Sequence, residues 1–359
     1  MNILHLDLGP EIRGGQKQVQ YLLDYFSSVS GVNSFLGCLA RSPLERAVSG
    51  EVRVFSFPSR QEIDPRNWFW LFSALKKGEI DIVHTHEPRA ASLAAVFRKF
   101  FPLSFSLMHT RRVSYPLSNR WGRAKYRCAD RVVCVSREIA EVVSASGVRE
   151  ERIRVIPSAI EVNSYPRALR DSSSRLRLGI IGALTAQKGH EFLFRSLSGL
   201  DLDFRLSVIG EGELMPDLIR LARELGLEDR IEFCGYVRSA EILPQLDMIV
   251  VPSIDGEGSN AVIKEAWAAG VPVLVSDLPS NTELVTNGKD GIVFSRGDIN
   301  GLAARIQELR SSPDLSSSLA ENGLKRAGDF DVPVMGRAYM QVYEELASAK
   351  KQVEGKCPH

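Results

Sequence analysis

The same succession of elements begins twice in this chain, at Asn2 and at Leu176. Each time a short apolar strand runs into a glycine-containing loop and then into a helix. The first loop holds Gly14 and Gly15, and the second begins at Gly182. Strands that alternate with helices predict a parallel sheet covered by helices. Because 359 residues suffice for about two domains, the repeat predicts two doubly wound α/β domains.

The hydrophobic periodicity is lost between Pro157 and Ser174, where Pro166 and consecutive serines occur. Segments of this composition are typical of boundaries between compact domains. The sequence therefore predicts a first domain over residues 1–165 and a second over residues 175–334.

The composition argues against several classes of protein. With 25% charged residues and a net charge of +1, the chain has no electrostatic signature of nucleic-acid binding. No apolar run approaches the ~20 residues that span a bilayer, and the first residues do not predict a signal peptide. The five cysteines form no C-x-x-C pair, which predicts reduced thiols. We therefore expect a cytoplasmic protein without nucleic-acid partners.

Residues 251–273 predict an anion site. A buried strand ends at Val251, and a turn with Gly256 and Gly258 leads into a helix that opens near Ser259 or Asn260. The first amides of a helix lack intrahelical acceptors and, together with the helix dipole, attract phosphate. The predicted binding residues of this stretch are Gly258, Ser259, Asn260 and Ala261.

Two carboxylates bracket this turn, Glu257 before the helix and Glu265 within it. A carboxylate repels phosphate but accepts hydrogen bonds from sugar hydroxyls, which are uncharged donors. These residues therefore predict a site for a phosphorylated sugar. The alternative is a capped helix with two solvated glutamates.

Glu257, seven residues, Glu265 and the following Ala-Trp-Ala-Ala-Gly-Val-Pro-Val resemble the E-x7-E signature of the retaining glycosyltransferases of family 4. Members of that family have the GT-B fold, an α/β architecture of two Rossmann-like, doubly wound domains facing a central cleft. The resemblance implies that Glu257 contacts the donor sugar and that Glu265 holds the ribose of the nucleotide. It also implies that the C-terminal helix, predicted over residues 335–350, returns to the first domain.

The resemblance implies roles for three further loops. Gly14 and Gly15 would pack against the donor diphosphate, and His109 would lie near the transferring sugar. His109 is also a candidate on its own chemistry, because imidazole titrates near neutral pH and stands here at the end of a predicted strand. The residues expected beside the nucleotide base are Cys234, Gly235 and Tyr236.

The loop from Gly182 to Gly189 contains one cation, Lys188, but lacks the G-x4-G-K-[ST] pattern of a P-loop. Lys188 could neutralise the charge that grows on a departing diphosphate. The family commonly has Gly-Arg-Leu here, whereas this chain has Ala183 in place of the arginine. We hypothesise that Arg111 or Arg112 supplies the second charge across the cleft. The alternative is a weaker stabilisation of the leaving group.

His84 and His86 share one face of a strand, so a zinc site has to be considered. No third ligand is evident in the sequence. The two D-x-D strings, at residues 201–203 and 329–331, do not follow a strand into the expected cleft. We therefore predict no metal and no cofactor.

Two segments mix basic and aromatic residues. Residues 97–105 have the composition of a membrane interface, although a helix end followed by a buried strand is the favoured explanation. Residues 111–131 contain a single acid, Asp130, among many cations. This segment predicts contact with an anionic or lipid-bound acceptor, or else a solvated helix face. Its basic residues are Arg111, Arg112, Arg120, Arg123, Lys125, Arg127 and Arg131.

With the resemblance, these features predict a retaining, metal-independent glycosyltransferase. It would move a sugar from a nucleotide-diphosphate donor, with a UDP-sugar as first choice, to a glycan or lipid-linked acceptor. The expected setting is bacterial lipopolysaccharide or surface polysaccharide synthesis at the inner face of the membrane, with weak contact to its surface. The predicted catalytic residues are His109, Lys188 and Glu257, and Arg111, Arg112 and Gly182 join the donor site.

Two alternatives remain open from the sequence. A nucleotide-sugar epimerase of the same fold would turn over the donor without any acceptor. A nucleotide-sugar-binding protein with weak catalysis is suggested by Ala183, because one expected cation is missing there.

Overall fold

A computed structural model describes residues 1–48, 52–101, 104–117, 119–168, 175–255 and 258–354, with side chains up to Lys350. The chain divides into two compact units. The first contains Met1–Ala159 and the C-terminal segment from Val332, and the second contains Ile160–Asp331.

The first unit is built on a seven-stranded sheet with the strand order β3-β2-β1-β4-β5-β6-β7. All of its strand pairs are parallel. Its elements are β1 Asn2–Asp7, α1 Gly14–Ser27, β2 Asn33–Leu39, α2 Pro43–Ala47, β3 Arg53–Phe57, α3 Pro65–Gly78, β4 Ile82–Thr85, α4 Pro88–Phe100, β5 Ser106–Arg111, α5 Arg120–Arg127, β6 Arg131–Cys134, α6 Arg137–Ala145 and β7 Ile153–Val155.

The second unit is built on a six-stranded parallel sheet with the order β10-β9-β8-β11-β12-β13. Its elements are β8 Leu176–Ile181, α7 His190–Ser198, β9 Phe204–Ile209, α8 Met215–Glu224, β10 Ile231–Gly235, α9 Ser239–Ile242, β11 Met248–Val251, α10 Ala261–Ala269, β12 Val273–Ser276, α11 Pro279–Leu284, β13 Ile292–Phe294, α12 Ile299–Ser311 and α13 Pro313–Ala327.

Helices on both faces of each sheet bury its apolar side chains. In the first unit, one cluster lies under α3, α4 and α6, and another lies under α1 and the C-terminal helix α14, Val332–Glu354. Tyr339 and Tyr343 of α14 are buried in the second of these clusters. Gly336 lets α14 approach α1, because a β-carbon there would lie 2.4 Å from the ring of Tyr25.

The division between the units lies at the start of the segment 157–174 in which the boundary is predicted, and before the predicted end of the first domain at residue 165. The structure divides the chain after Ala159, because the residues that follow are bonded to the second unit. The amide of Ile160 donates to the carbonyl of Phe330 at 2.9 Å, and the amide of Ala168 donates to that of Ala269 at 2.8 Å. The segment reads as a linker in sequence because its partners lie 100 or more residues away.

In each sheet the strand order reverses direction at one place, between β1 and β4 in the first unit and between β8 and β11 in the second. Open α/β sheets bind ligands outside the carboxyl ends of the strands at such a reversal. The loops after these four strands are therefore where a site is expected in each unit. No helix in the described ranges is long and apolar enough to cross a bilayer.

Candidate active site

The loops after β8 and β11 pack directly on each other in the second unit. The amide of Ile254 donates to the carbonyl of Gln187 at 2.8 Å. Gly189 adopts a left-handed conformation, with φ of 71°, and a β-carbon there would lie 2.1 Å from the carbonyl oxygen of Pro252. Only glycine fits this position without moving a backbone. The sequence thus ties the loop that carries Lys188 to the turn that precedes α10.

The loops after β9 and β10 are held beside them through their backbones. The amide of Gly210 donates to the carbonyl of Gly235 at 2.8 Å, and that of Gly182 donates to Ile209 at 2.9 Å. A β-carbon at Gly210 would lie 2.0 Å from the Gly182 carbonyl oxygen. This contact places the turn at Cys234, Gly235 and Tyr236 at the same sheet edge as the glycine loop.

Lys188 ends a short 3-10 turn in the loop after β8. Its side chain runs along Gly182, since a β-carbon on that glycine would lie 3.2 Å from Cε of the lysine. Gly182 has φ of 156°. The absence of a side chain there leaves room for the lysine to cross the loop. Lys188 thus lies against the glycine loop, and its contact with a diphosphate stays a prediction.

The helix α10 begins at Ala261 with Asn260 as its cap, whose side-chain oxygen accepts from the amide of Val262 at 3.1 Å. Ser259 precedes the cap and accepts a hydrogen bond from Lys264 Nζ at 2.6 Å. The predicted helix start is therefore confirmed to within a residue. Gly258 lies in the described turn, whereas Gly256 and the predicted catalytic Glu257 lie outside the described residues.

Sequence reasoning overlooked Lys264, which is fully buried in α10. Its ammonium lies 4.9 Å from the ring centroid of Phe330, and burial lowers the pKa of Lys264 to about 7. The bond to Ser259 makes it a support of the turn before α10. A lysine inside the apolar run Ala-Val-Ile-Lys-Glu-Ala-Trp is the signal that could have found it.

Glu265 is oriented by two neighbours from other segments of the second unit. Its carboxylate accepts hydrogen bonds from the side chains of Ser239 and Tyr165, and burial raises the pKa of Glu265. A carboxylate held by two donors retains lone pairs for a further hydroxyl. The geometry therefore suits the predicted hydrogen bond to a ribose, which stays a prediction.

In the first unit, the loop after β1 is anchored by a buried carboxylate. Asp7 accepts from the amide of Gly9 at 2.8 Å and from Gln16 Nε2 at 3.1 Å. The helix α1 begins at Gly14, where no described atom would lie within 4 Å of an added β-carbon. A β-carbon at Gly15 would lie 3.7 Å from Cδ of Arg112. Gly14, Gly15 and Arg112 therefore lie near one another in the first unit, and their contact with a donor diphosphate stays a prediction.

The two arginines at the end of β5 have different surroundings. Arg111 bonds to the carbonyl of Tyr115, and its guanidinium carbon lies 5.4 Å from the ring centroid of Tyr126. Arg112 donates to the carbonyl of His86 at 3.0 Å. Arg111 thus holds the chain that follows β5, whereas Arg112 lies against the glycine loop.

The structure contradicts the titration predicted for His109. Its ring is only 1% exposed, with Nδ1 paired to Thr85 Oγ1 at 2.6 Å and Nε2 to the carbonyl of Lys125 at 3.1 Å. The carbonyl can only accept, so Nε2 carries the proton and Nδ1 accepts from the threonine hydroxyl. Burial lowers the pKa of His109 to about 4, so the prediction that it titrates near neutral pH is wrong. In this arrangement it joins β4, β5 and α5.

A third histidine, which sequence reasoning missed, joins His84 and His86. Ring nitrogens of His5, His84 and His86 lie within 4.8 Å of one another, all buried. Both nitrogens of His84 already pair with hydroxyls, of Tyr343 at 2.6 Å and of Thr110 at 2.7 Å. Burial lowers the pKa of each of the three histidines. With the guanidinium of Arg112 also close to His86, the arrangement favours hydrogen-bonded neutral imidazoles over a cation site.

The basic segment 111–131 does not form one continuous basic surface. Lys125 is buried and donates to the carbonyl of Pro88 at 2.8 Å, and Arg131 pairs with Glu345 at 3.2 Å. Of the cations in this segment, those exposed are Arg120, Arg123 and Arg127. The prediction of a large basic patch is therefore wrong in extent, because several of its cations support the fold.

Comparison with known proteins agrees with the geometry. A model described as Glycosyltransferase Family 4 matches residues 12–164, and one described as Glycosyl transferases group 1 matches residues 175–312. A lipopolysaccharide core biosynthesis glycosyltransferase of Rhizobium meliloti is 28% identical over 73% of this chain and 75% of its own length. The UDP-Gal:alpha-D-GlcNAc-diphosphoundecaprenol alpha-1,3-galactosyltransferase of Escherichia coli is 26% identical over 84% of this chain and 85% of its own length.

A solved structure, Anabaena HepE in complex with UDP, has the same fold. It superposes with a TM-score of 0.82 over 97% of this chain and 100% of its own, at 20% sequence identity. The order of strands in the two parallel sheets therefore follows an architecture that other proteins share.

Proposed function

This chain is a glycosyltransferase of family 4 with the GT-B fold, and from that premise we propose that it uses a UDP-sugar and retains the configuration of the transferred sugar. The Rhizobium meliloti relative is a glycosyltransferase of lipopolysaccharide core biosynthesis, and synthesis of lipopolysaccharide or surface polysaccharide is the setting we assign to this chain. The proposal rests chiefly on one observation. The loop that carries Lys188 is bonded to the turn before α10, so a cation and a helix N-terminus lie at the same edge of the sheet.

The chemistry at this edge suits a leaving diphosphate. Bond cleavage to the sugar leaves negative charge on the diphosphate oxygen, which the Lys188 ammonium and the first amides of α10 stabilise. Glu265 accepts hydrogen bonds from ribose hydroxyls. Glu257 orients the sugar, as the resemblance implies. No metal is required in this scheme, because the protein itself supplies positive charge.

Nucleotide binding tests the donor site. We expect calorimetry to find UDP bound more tightly than GDP, ADP or CMP, and Glu265→Ala to weaken UDP binding about tenfold, through loss of ionic hydrogen bonds worth roughly 1.5–3 kcal/mol. Glu265→Gln keeps an acceptor and should lose less. Glu321→Ala, an exposed glutamate of α13, is the matched control. Equal binding of all four nucleotides, or no effect of Glu265→Ala, would refute the donor site.

Arg112 is the better candidate for the second charge on the leaving group. It lies against Gly15, whereas Arg111 is held by Tyr115 and Tyr126. We expect Arg112→Ala to lower kcat about tenfold and Arg111→Ala to act mainly on thermal stability. Steady-state rates and melting temperatures of both variants check this assignment. Unchanged turnover in both variants would show that neither arginine replaces the one missing at Ala183, and the assignment would fail.

We further propose that the acceptor is a lipid-linked glycan at the inner face of the membrane and that the protein contacts the membrane surface weakly. The Escherichia coli relative is named for an acceptor, alpha-D-GlcNAc-diphosphoundecaprenol, that carries an anionic diphosphate. The exposed Arg120, Arg123 and Arg127 would favour such an anionic acceptor.

A nucleotide-sugar-binding protein with weak catalysis is the second candidate, because Ala183 removes one cation from the glycine loop. The two candidates differ in turnover. A transferase should release UDP from its donor faster when an acceptor is added, whereas a binding protein should hold the nucleotide and release none.

A further inference from the structure

Aromatic side chains are exposed together on one surface of the first unit. Phe69 and Trp70 of α3 are 68% and 39% exposed, and Phe100 at the end of α4 is 64% exposed. The rings of Phe69 and Trp70 are 6.4 Å apart, and Phe100 stacks on Trp68 at 6.2 Å. Phe72, 38% exposed, lies on the same helix. We call Phe69, Trp70, Phe72 and Phe100 the aromatic patch.

The core does not need these side chains. The helix α3 buries a different face, through Leu71, Ala74 and Leu75, against the sheet. Exposing an apolar outer face of a helix to water is unfavourable. A cluster of exposed aromatic side chains on a protein surface therefore marks an interaction site. Ile63, 76% exposed, extends the apolar surface beyond the start of α3.

Cations border the aromatic patch. Lys76 and Lys77 are exposed in the last turn of α3, and Lys99 Nζ lies 5.9 Å from the ring centroid of Phe100. Arg66 at the start of α3 pairs with Asp64 at 2.8 Å. Exposed aromatic rings bordered by lysines match the layered chemistry of a bilayer surface, where rings settle at headgroup depth and ammonium groups meet lipid phosphates. Lysine is depleted at protein–protein interfaces, which argues against a second copy of the chain.

We propose that the aromatic patch and its lysines form a docking surface for an anionic bilayer. The surface rests on the proposed function in one respect, since a lipid-linked acceptor would lie at the same bilayer. It brings together parts of the chain that are about 30 residues apart, α3 and the end of α4. The end of α4 overlaps segment 97–105. From its sequence alone, this segment is better explained as a helix end followed by a buried strand than as a membrane interface.

Vesicle flotation of the full chain tests the docking surface. One set of vesicles contains equal parts of phosphatidylglycerol and phosphatidylcholine, and the other contains phosphatidylcholine alone. We expect at least tenfold stronger partition onto the anionic vesicles and a steep loss of binding in high salt. The variant Phe69→Ala/Trp70→Ala/Phe100→Ala should lower the partition at least tenfold. Lys76→Gln/Lys77→Gln/Lys99→Gln should lower it roughly fivefold for each lysine, on anionic vesicles only.

The control replaces exposed apolar residues of the second unit, Ile219→Ala/Ile299→Ala, and should partition as the wild type does. All variants should keep the wild-type melting temperature and affinity for UDP. Full binding by the aromatic variant would overturn the proposal. So would a wild-type dimer in ultracentrifugation that the aromatic variant loses, because the patch would then be a protein interface. If the wild type does not bind UDP, the proposed function is refuted, whereas the proposal of a docking surface is not.

Discussion

Lys188→Ala is expected to lower kcat about 10²–10³-fold, a loss typical for removal of one group that stabilises charge in a transition state. The loop from Gly182 to Gly189 has no other cation in its sequence, and Ala183 cannot compensate. Since the missing interaction forms as the leaving group gains charge, kcat should fall more than donor affinity. Steady-state kinetics of UDP release, with and without acceptor, measure both quantities.

The same experiment needs a check on folding and on charge. Lys188 runs along the surface of the glycine loop, so its truncation should leave the melting temperature within a few degrees of the wild type. Lys188→Arg keeps the cation and should retain part of the rate. Lys325→Ala, on exposed α13, removes a lysine of the same unit and should not change kcat. A kcat for Lys188→Ala within twofold of wild type would refute leaving-group stabilisation by this residue.

The second large effect is loss of stability in acid, and it should begin in the first unit. Burial lowers the pKa of His5 to about 3 and that of His109 to about 4, and it also lowers the pKa of His84 and His86. Unfolded histidine has a pKa of about 6.5. Below that pH the histidines bind protons in the unfolded chain but stay neutral in the folded chain. The free energy of unfolding therefore falls as the pH drops from about 6.5 towards 4.

His109 alone should contribute roughly 3 kcal/mol of this loss, since one pKa unit is worth about 1.4 kcal/mol. The second unit has one such group among its described residues, His190, whose pKa burial lowers to about 4. Raised carboxyl pKa values oppose the effect in both units, at Asp7 in the first and Glu265 in the second, for example. The first unit should therefore unfold at a higher pH than the second.

Tryptophan fluorescence can separate the two transitions. Trp267 reports on the second unit, and the other three tryptophans, at 68, 70 and 121, report on the first. Urea unfolding at pH 7.5, 6 and 5 should show a steeper pH dependence for the first unit. His109→Asn should reduce that dependence by about one proton, even if the variant is less stable at pH 7.5. Equal slopes for the two units would contradict neutral buried histidines.

The second unit was the easier part to predict, because its signals are local. A strand, a glycine turn and a capped helix follow one another within residues 248–269, so neighbouring residues decide where the helix amides point. The helix start at Ala261 agreed with prediction for this reason. The resemblance added the expectation that Glu265 contacts a ribose. It could not show that Tyr165 and Ser239 orient this carboxylate, because they come from distant segments.

The first unit was harder to predict, because burial there depends on distant residues. The sequence makes His109 an acid–base candidate. In the structure, however, both of its ring nitrogens are hydrogen-bonded, to Thr85 and to the carbonyl of Lys125. The sequence of segment 111–131 predicts a continuous basic surface. In the structure, however, the side chain of Lys125 is buried and bonds to the carbonyl of Pro88. Local sequence gives the type of each residue and its element, but not which face of that element is covered.

Two doubly wound domains, the family and the glycine turn that leads into α10 follow from the sequence, because these depend on the periodicity and spacing of neighbouring residues. The tertiary structure decided that His5 joins His84 and His86, that Tyr165 and Ser239 orient Glu265, and that α3 and α4 share an aromatic patch. Each of these contacts joins side chains through packing or a hydrogen bond. Such contacts form only when the chain brings together elements whose order in space no local pattern encodes.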